Sequence, residues 1–127
     1  MATIQPATIV HSDFHAKNLM HGPDGRIVPV DWPLAYLHPH LGDLYCLLRD
    51  ARKAGLADAV GESALPEVFA EESGTSPAAV RDRMVTGGLC WTTVALCWVL
   101  EEGIHVVPES ADWIDELVTD LRALAQR

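Results

Sequence analysis

The sequence predicts an α+β fold, mostly helical, in which a small β-hairpin region leads into about four helices. Three observations predict it. Two short β-branched runs near the N-terminus flank a turn rich in Gly, Pro and Asp; the apolar period becomes helical after Gly42; and Gly, Pro and Ser then divide the chain into helix-length stretches. The first strand is ATIV at 7–10 and the second RIVPV at 26–30. Between them lies HGPDGR, whose Asp24-Gly25 is a turn signal. DLYCLLRDARKAG then sets Leu44, Cys46, Leu47, Leu48 and Ala51 at helical spacing and stops at Gly55. LPEVFAEES, 65–73, is a short helix closed by Gly74. Ser76-Pro77 supplies an N-cap and a first-turn proline for a long helix through Arg81, Leu89, Val94 and Leu100, broken by Gly103 and Pro108. Trp91 and Trp98, beside Leu89, Val94 and Cys97, read as a core stripe of that helix. Ser110 is expected to cap a last amphipathic helix that aligns Trp113, Leu117, Leu121 and Leu124 and carries an acidic outer face.

A length of 127 residues suits one domain, and 9 Lys+Arg against 18 Asp+Glu give a formal charge of −9. That balance argues against a phosphate-backbone binder, so no nucleic-acid partner is expected. Cys46, Cys90 and Cys97 form no CxxC pair and lie in apolar stretches; they read as buried, reduced thiols of a cytoplasmic protein. The start MATIQPATIV has neither the basic region nor the long apolar region of a secretory leader. Met84–Leu100 is free of charge over 17 residues, yet it contains Thr86, Gly87, Gly88, Thr92 and Thr93. It reads as a helix buried inside the protein, and no membrane partner is expected.

The chemistry concentrates in HSDFHAKN, residues 11–18, and in Asp31-Trp32. Asp13 and Asn18 stand five apart, the spacing of a kinase catalytic loop, in which the aspartate accepts a hydroxyl proton and the asparagine holds a metal. Asp31 follows RIVPV, so a hairpin returns it towards Asn18. A carboxylate and a carboxamide oxygen brought together suit Mg²⁺, which takes few protein oxygens plus phosphate. His11, Asp13 and His15 alternate, which also admits a metal-dependent hydrolase with these three as ligands. That second reading leaves Asn18 and Asp31 idle, and a hydrogen-bonded loop histidine is the simpler reading of His15.

HSDFHAKNLM followed by VDWPLAYLHPHLGDL resembles the motif block of the aminoglycoside phosphotransferase/choline kinase family, H-G-D-x-H-x-x-N with a D-W, a G-P and a D-L downstream. Asp31 and Asp43 stand twelve residues apart, as in that pattern, and Pro39 matches its proline. The resemblance covers residues 7–48. It implies a protein-kinase-like C-terminal lobe, a single partial domain with catalytic and metal-binding loops in 1–42 and a helical part in 43–127. It further implies Asp13 as catalytic base, Asn18 and Asp31 as Mg²⁺ ligands, ATP (or GTP) as donor, and a hydroxyl of a small molecule, an aminoglycoside for instance, as acceptor. His11 would anchor the loop, Trp32 would pack it, and Asp43 would cap and pack the helix that follows. Lys17 either touches the transferred phosphate or points into water.

Two departures are local: Ser12 replaces a glycine of the pattern, a mild change, and His38 replaces the glycine before proline. A larger one is the lack of any GxGxxG or VAIK-like strand, so the N-terminal nucleotide lobe is expected to be missing and this chain alone to be inactive or very weak. Apolar surface left without that lobe is expected to pair with one or to self-associate as a homo-oligomer, and a non-catalytic interaction module is the competing reading. Glu101, Glu102, Glu109, Asp112, Asp115, Glu116 and Asp120 read as a solvated helix face, with attraction of a cationic substrate as the sharper alternative.

Overall fold

A computed structural model describes residues 7–56 and 64–127; the expectation of a leader-free start rests in part on residues outside that set. The fold is α+β, with two small antiparallel ribbons and, among the described residues, four helices of ten residues or more.

The strands differ from expectation in their pairing. β1 (Thr8–Val10) does not meet the run at 26–30. It pairs with β4 (Tyr36–His38), whereas β2 (Leu19–His21) pairs with β3 (Ile27–Pro29). The reason is loop closure: the Asp24-Gly25 turn joins the nearest segments on either side of it. Gly25 takes φ +77°, and the Asp24 carboxylate accepts from the Arg26 N–H at 3.1 Å, so the turn is closed locally. β2 and β4 have three residues each, too few for a periodic signal in the sequence.

The helices are α1 (Gly42–Lys53), α2 (Ala64–Ser73), α3 (Pro77–Trp98) and α4 (Ile114–Ala125). Ser76 caps α3 as expected, accepting from the Ala79 N–H at 3.2 Å, and Pro77 opens the helix. Gly55 and Gly74 follow α1 and α2 with φ +69° and +65°, the left-handed conformation that ends a helix. Gly103 does not break α3. A π turn over Val99–Gly103 continues it into Ile104–Val106, and Pro108 ends the run. Ser110 does not cap α4; it lies in a 3₁₀ segment, Pro108–Trp113, and is fully buried, with no hydrogen-bond partner for its hydroxyl among the described residues. Gly103 is glycine because of packing: a Cβ there would sit 2.8 Å from the Trp98 ring and 3.0 Å from the Ser110 hydroxyl oxygen.

α3 is the spine, packed against α1, α2 and α4. One apolar cluster joins Leu41, Leu48, Ala70, Val80 and Met84, and a second joins Tyr45, Cys46 and Leu124. The span Pro77–Val106 is long and apolar enough to cross a membrane by length and composition. Contrary to expectation it is not buried all round: 22% of its most apolar window is buried, with Val80, Gly87, Thr92 and Val99 inward and Val94, Cys97 and Leu100 outward. The cysteines follow the same division, since Cys46 is buried, Cys90 half-buried and Cys97 exposed. Burial pushes the Cys46 thiol well above its ordinary pKa.

α1 and α3 cross at glycine. A Cβ on Gly87 would lie 2.3 Å from the Gly42 nitrogen, and one on Gly88 would lie 2.8 Å from the Tyr45 ring. Because backbone stands in the way at Gly87, relief requires the helices to separate. Gly87→Ala is expected to destabilise the fold by about 1–3 kcal/mol, read as a lower midpoint in urea or heat; an unchanged midpoint would show that the crossing is loose.

Candidate active site

The loop between β1 and β2 is held from three sides. His11 is 1% exposed; its Nε2 lies 2.9 Å from the Val30 carbonyl oxygen and its Nδ1 lies 3.3 Å from the Asp13 nitrogen. A carbonyl only accepts and an N–H only donates, so Nε2–H donates to Val30 and Nδ1 accepts from Asp13. Both ring nitrogens are thus committed inside the protein. In this arrangement neither His11 nitrogen is free to face Asp13 and His15, so the structure lends the hydrolase reading of that triplet no support. Trp32 packs on the His11 ring at 4.5 Å between centroids, and its Nε1–H donates to the Pro29 carbonyl at 2.9 Å.

Asp43 holds the second side. Its two carboxylate oxygens accept from the His11 N–H at 2.7 Å and the Ser12 N–H at 2.9 Å. The expectation of a helix cap changes here. The carboxylate turns away from its own helix to the loop, and the His40 Nδ1 accepts the Gly42 N–H at 3.1 Å in the first turn of α1. The third side comes from α3, where the Trp91 Nε1–H donates to the Ser12 carbonyl at 2.9 Å.

These partners hold Ser12 at φ +72°. The replacement of glycine by serine is therefore not mild in conformational terms, because a Cβ in the left-handed region costs about 1 kcal/mol. Asp31 shares that conformation at φ +66°.

Asp13, His15 and Asn18 meet in the loop. The Asn18 Nδ2 donates to the Asp13 Oδ2 at 2.9 Å and to the Asp13 carbonyl at 3.0 Å, and the His15 Nε2 lies 3.3 Å from the Asp13 Oδ1. With its nitrogen turned to Asp13, Asn18 keeps Oδ1 as an acceptor. The Val30 N–H donates to the Asn18 carbonyl at 2.9 Å, so Asp31 comes directly after the residue bonded to Asn18. Asp31 is exposed, and among the described residues its carboxylate has no hydrogen-bond or ion-pair partner. No group of three or more His, Cys, Asp and Glu able to hold a metal occurs among the described residues. A carboxamide oxygen and one carboxylate are the sparse protein set that Mg²⁺ takes beside phosphate, so these residues fit that ion. Lys17, in the 3₁₀ turn Ala16–Asn18, is exposed and makes no ion pair among the described residues.

Beside Asp13 opens a cleft of about 600 Å³ between the loop, α1, α3 and the start of α4. Trp91, Val94, Trp98 and Trp113 line it, and the expected core stripe holds only in part: Leu89 and Trp91 pack against the Tyr45, Cys46 and Leu124 cluster, whereas Val94 is 64% exposed and Trp98 38%. Gly87 and Gly88 bring α1 close to this face of α3, and further along the same face Val94 and Trp98 stay open. Arg49 closes the far wall, stacked 5.2 Å from the Trp91 centroid and bonded to Asp120 at 2.7 Å and Glu116 at 2.9 Å. Burial works against its charge, but the Asp120 hydrogen bond and the Glu116 carboxylate outweigh it and raise its pKa. No spacing in the sequence marks Trp91, Arg49 or His40 as members of this region, since their partners lie in other elements.

No protein-family model, no curated protein and no solved structure matches the chain.

Ser12→Gly is expected to stabilise the fold by up to about 1 kcal/mol, read as a rise in the unfolding midpoint; a fall would mean that the serine side chain contributes more than its strain costs. A second expectation concerns acid. Burial lowers the pKa of His40, which is 2% exposed, below the ordinary 6.5, with His38 adding to the shift. The unfolded chain then takes up a proton at a pH where folded His40 does not. This contribution to stability is present above about 6.5 and is lost progressively as pH falls from there through the lower pKa of the folded form. Melting curves should show a steeper loss between pH 7 and 5 in the parent than in His40→Gln, and equal slopes would assign the acid sensitivity elsewhere.

Proposed function

We propose that the chain is the base- and metal-bearing part of a phosphotransferase that moves the γ-phosphate of ATP (or GTP) to a hydroxyl of a small molecule in the cytoplasm. One observation carries the reading. Asn18 commits its amide nitrogen to Asp13, keeps its oxygen for a cation, and has its carbonyl bonded to the residue before Asp31. That arrangement links a proton acceptor to two hard oxygen donors, which is what phosphoryl transfer asks of a protein.

In the reaction Asp13 takes the proton of the acceptor hydroxyl, and the acceptor oxygen forms a bond to the γ-phosphorus. The bond from that phosphorus to the bridging oxygen breaks, and the nucleoside diphosphate leaves with the electron pair. His15, beside the Asp13 carboxylate, and Asn18 orient the base. Mg²⁺ held by Asn18 and Asp31 would offset the charge on the phosphates. The nucleotide also needs a covering lobe that these residues do not supply, so the activity belongs to a protein in which the chain meets one.

With Mn²⁺ standing in for Mg²⁺, amide NMR signals around Asn18 and Asp31 should broaden first, and Asp31→Ala should abolish the effect. Broadening centred on Glu101–Asp120 would overturn the metal assignment. In a protein that joins the chain to a nucleotide lobe, Asp13→Ala should lower turnover by about 10²–10⁴-fold, and unchanged turnover would overturn the base.

A second reading, an interaction module, is favoured by the strand layer. Ile9 is 65% and Leu37 69% exposed, with Met20, Ile27 and Val28 also open to solvent. Such surface seeks a partner lobe or a second copy. Light scattering after size-exclusion chromatography should show mass rising with concentration; a monomer at every concentration would remove self-association.

A further inference from the structure

The cleft beside Asp13 bears on the identity of the acceptor, and any inference from it rests on the phosphotransferase reading. Its wall is aromatic and aliphatic: Trp98 and Trp113 stack at 6.4 Å with 28° between planes, and Val94 and Trp91 extend the surface towards Ser12 and Asp13. Trp113 is 43% and Trp98 38% exposed, so both rings of the stack keep open area at the cavity that they line. In a chain of charge −9, an open apolar wall next to the reacting group is costly in water unless something apolar covers it.

The placement of the acidic residues points the same way. Glu101, Glu102, Glu109, Asp112 and Asp115 are exposed, and none of them lines the cleft. Glu116 and Asp120 are held by Arg49, and Lys53 also pairs with Glu116 at 2.8 Å. The lining itself holds two carboxylates, Asp13 and Asp50, and two cations, Arg49 and Lys53, so it carries no excess of negative charge. The Trp91 ring is already stacked by Arg49, which removes it as a seat for a ligand cation. A volume of about 600 Å³ is that of a site for a small organic molecule.

We propose that the acceptor is a neutral hydroxyl compound with a bulky apolar ring body, seated against Val94, Trp98 and Trp113 with its hydroxyl towards Asp13, and not a polycation. Val94, at the mouth, is a specificity-determining residue. The wall supplies affinity by burying the ring body, and the polar end near Ser12 and Asp13 selects the hydroxyl.

The test is a titration of the 127-residue chain, without nucleotide, followed by tryptophan fluorescence. Hydrocortisone serves as the neutral polycyclic alcohol and kanamycin as the polycationic polyol. Hydrocortisone should bind at least about tenfold more tightly than kanamycin. Val94→Lys, at an exposed position that the fold tolerates, should weaken hydrocortisone about tenfold with the melting temperature unchanged, and Trp98→Ala should weaken it similarly. Equal or tighter binding of kanamycin, no saturable binding of hydrocortisone, or a folded Val94→Lys with parental affinity would each overturn the proposal. Saturable hydrocortisone binding that Val94→Lys removes would uphold the ligand class even if no phosphoryl transfer from ATP were found, a result that would sink the phosphotransferase reading alone.

Discussion

The Asp43 carboxylate bonded to the His11 and Ser12 amides is the interaction on which the site depends. It ties the first turn of α1 to the loop that holds Asp13, so the position of a helix becomes the position of a candidate base. Two charge-assisted hydrogen bonds from one carboxylate fix both the height and the orientation of the loop. They act only because α1 starts where it does, and that start is set by the contact of Gly42 with Gly87. Any side chain larger than hydrogen at Gly87 would push α1 away from α3 and draw Asp43 from its amides.

Around that clamp the strain and the supports balance. Ser12 and Asp31 both sit in the left-handed region, a conformation that persists only where neighbours over-determine it. Ser12 has Asp43 on its amide and Trp91 on its carbonyl, and Asp31 comes after a residue bonded to Asn18. His11 links the two, since its ring accepts from the Asp13 amide and donates to the Val30 carbonyl. The loop before Asn18 and the strand before Asp31 therefore move as one body. Transfer of a phosphoryl group needs a base and metal donors held in a fixed relation, because positioning and charge account for most of the rate.

Trp91 joins this support to the cleft. Its indole nitrogen holds the Ser12 carbonyl while its ring, stacked under Arg49, forms part of the wall. Arg49 in turn gathers Glu116 and Asp120 from α4. Two of the carboxylates that composition alone would assign to ligand attraction, Glu116 and Asp120, are thereby held within the fold, and the wall formed by Val94, Trp98 and Trp113 is apolar. The uncharged 17-residue stretch accordingly sends some residues, such as Gly87 and Thr92, into the core and others, such as Val94 and Trp98, to the cleft.

Much of the local structure was legible in the sequence because it depends on short-range physics. The Ser76-Pro77 start of α3, the glycine ends of α1 and α2, the Asp24-Gly25 turn and the Asp13–Asn18 spacing each rest on residues within a few positions of one another. The hairpin that carries Asp31 back to Asn18 was readable for the same reason. The pairing of β1 with β4, the turning of Asp43 from its own helix to the loop, the cap supplied by His40 and the exposure of Trp98 and Val94 were decided only by tertiary structure. The place of Asp43 and the exposure of Trp98 and Val94 depend on which face of α3 meets α1. That choice follows from the close approach of two glycine backbones 45 residues apart, and no periodicity or composition encodes a contact between positions so far separated.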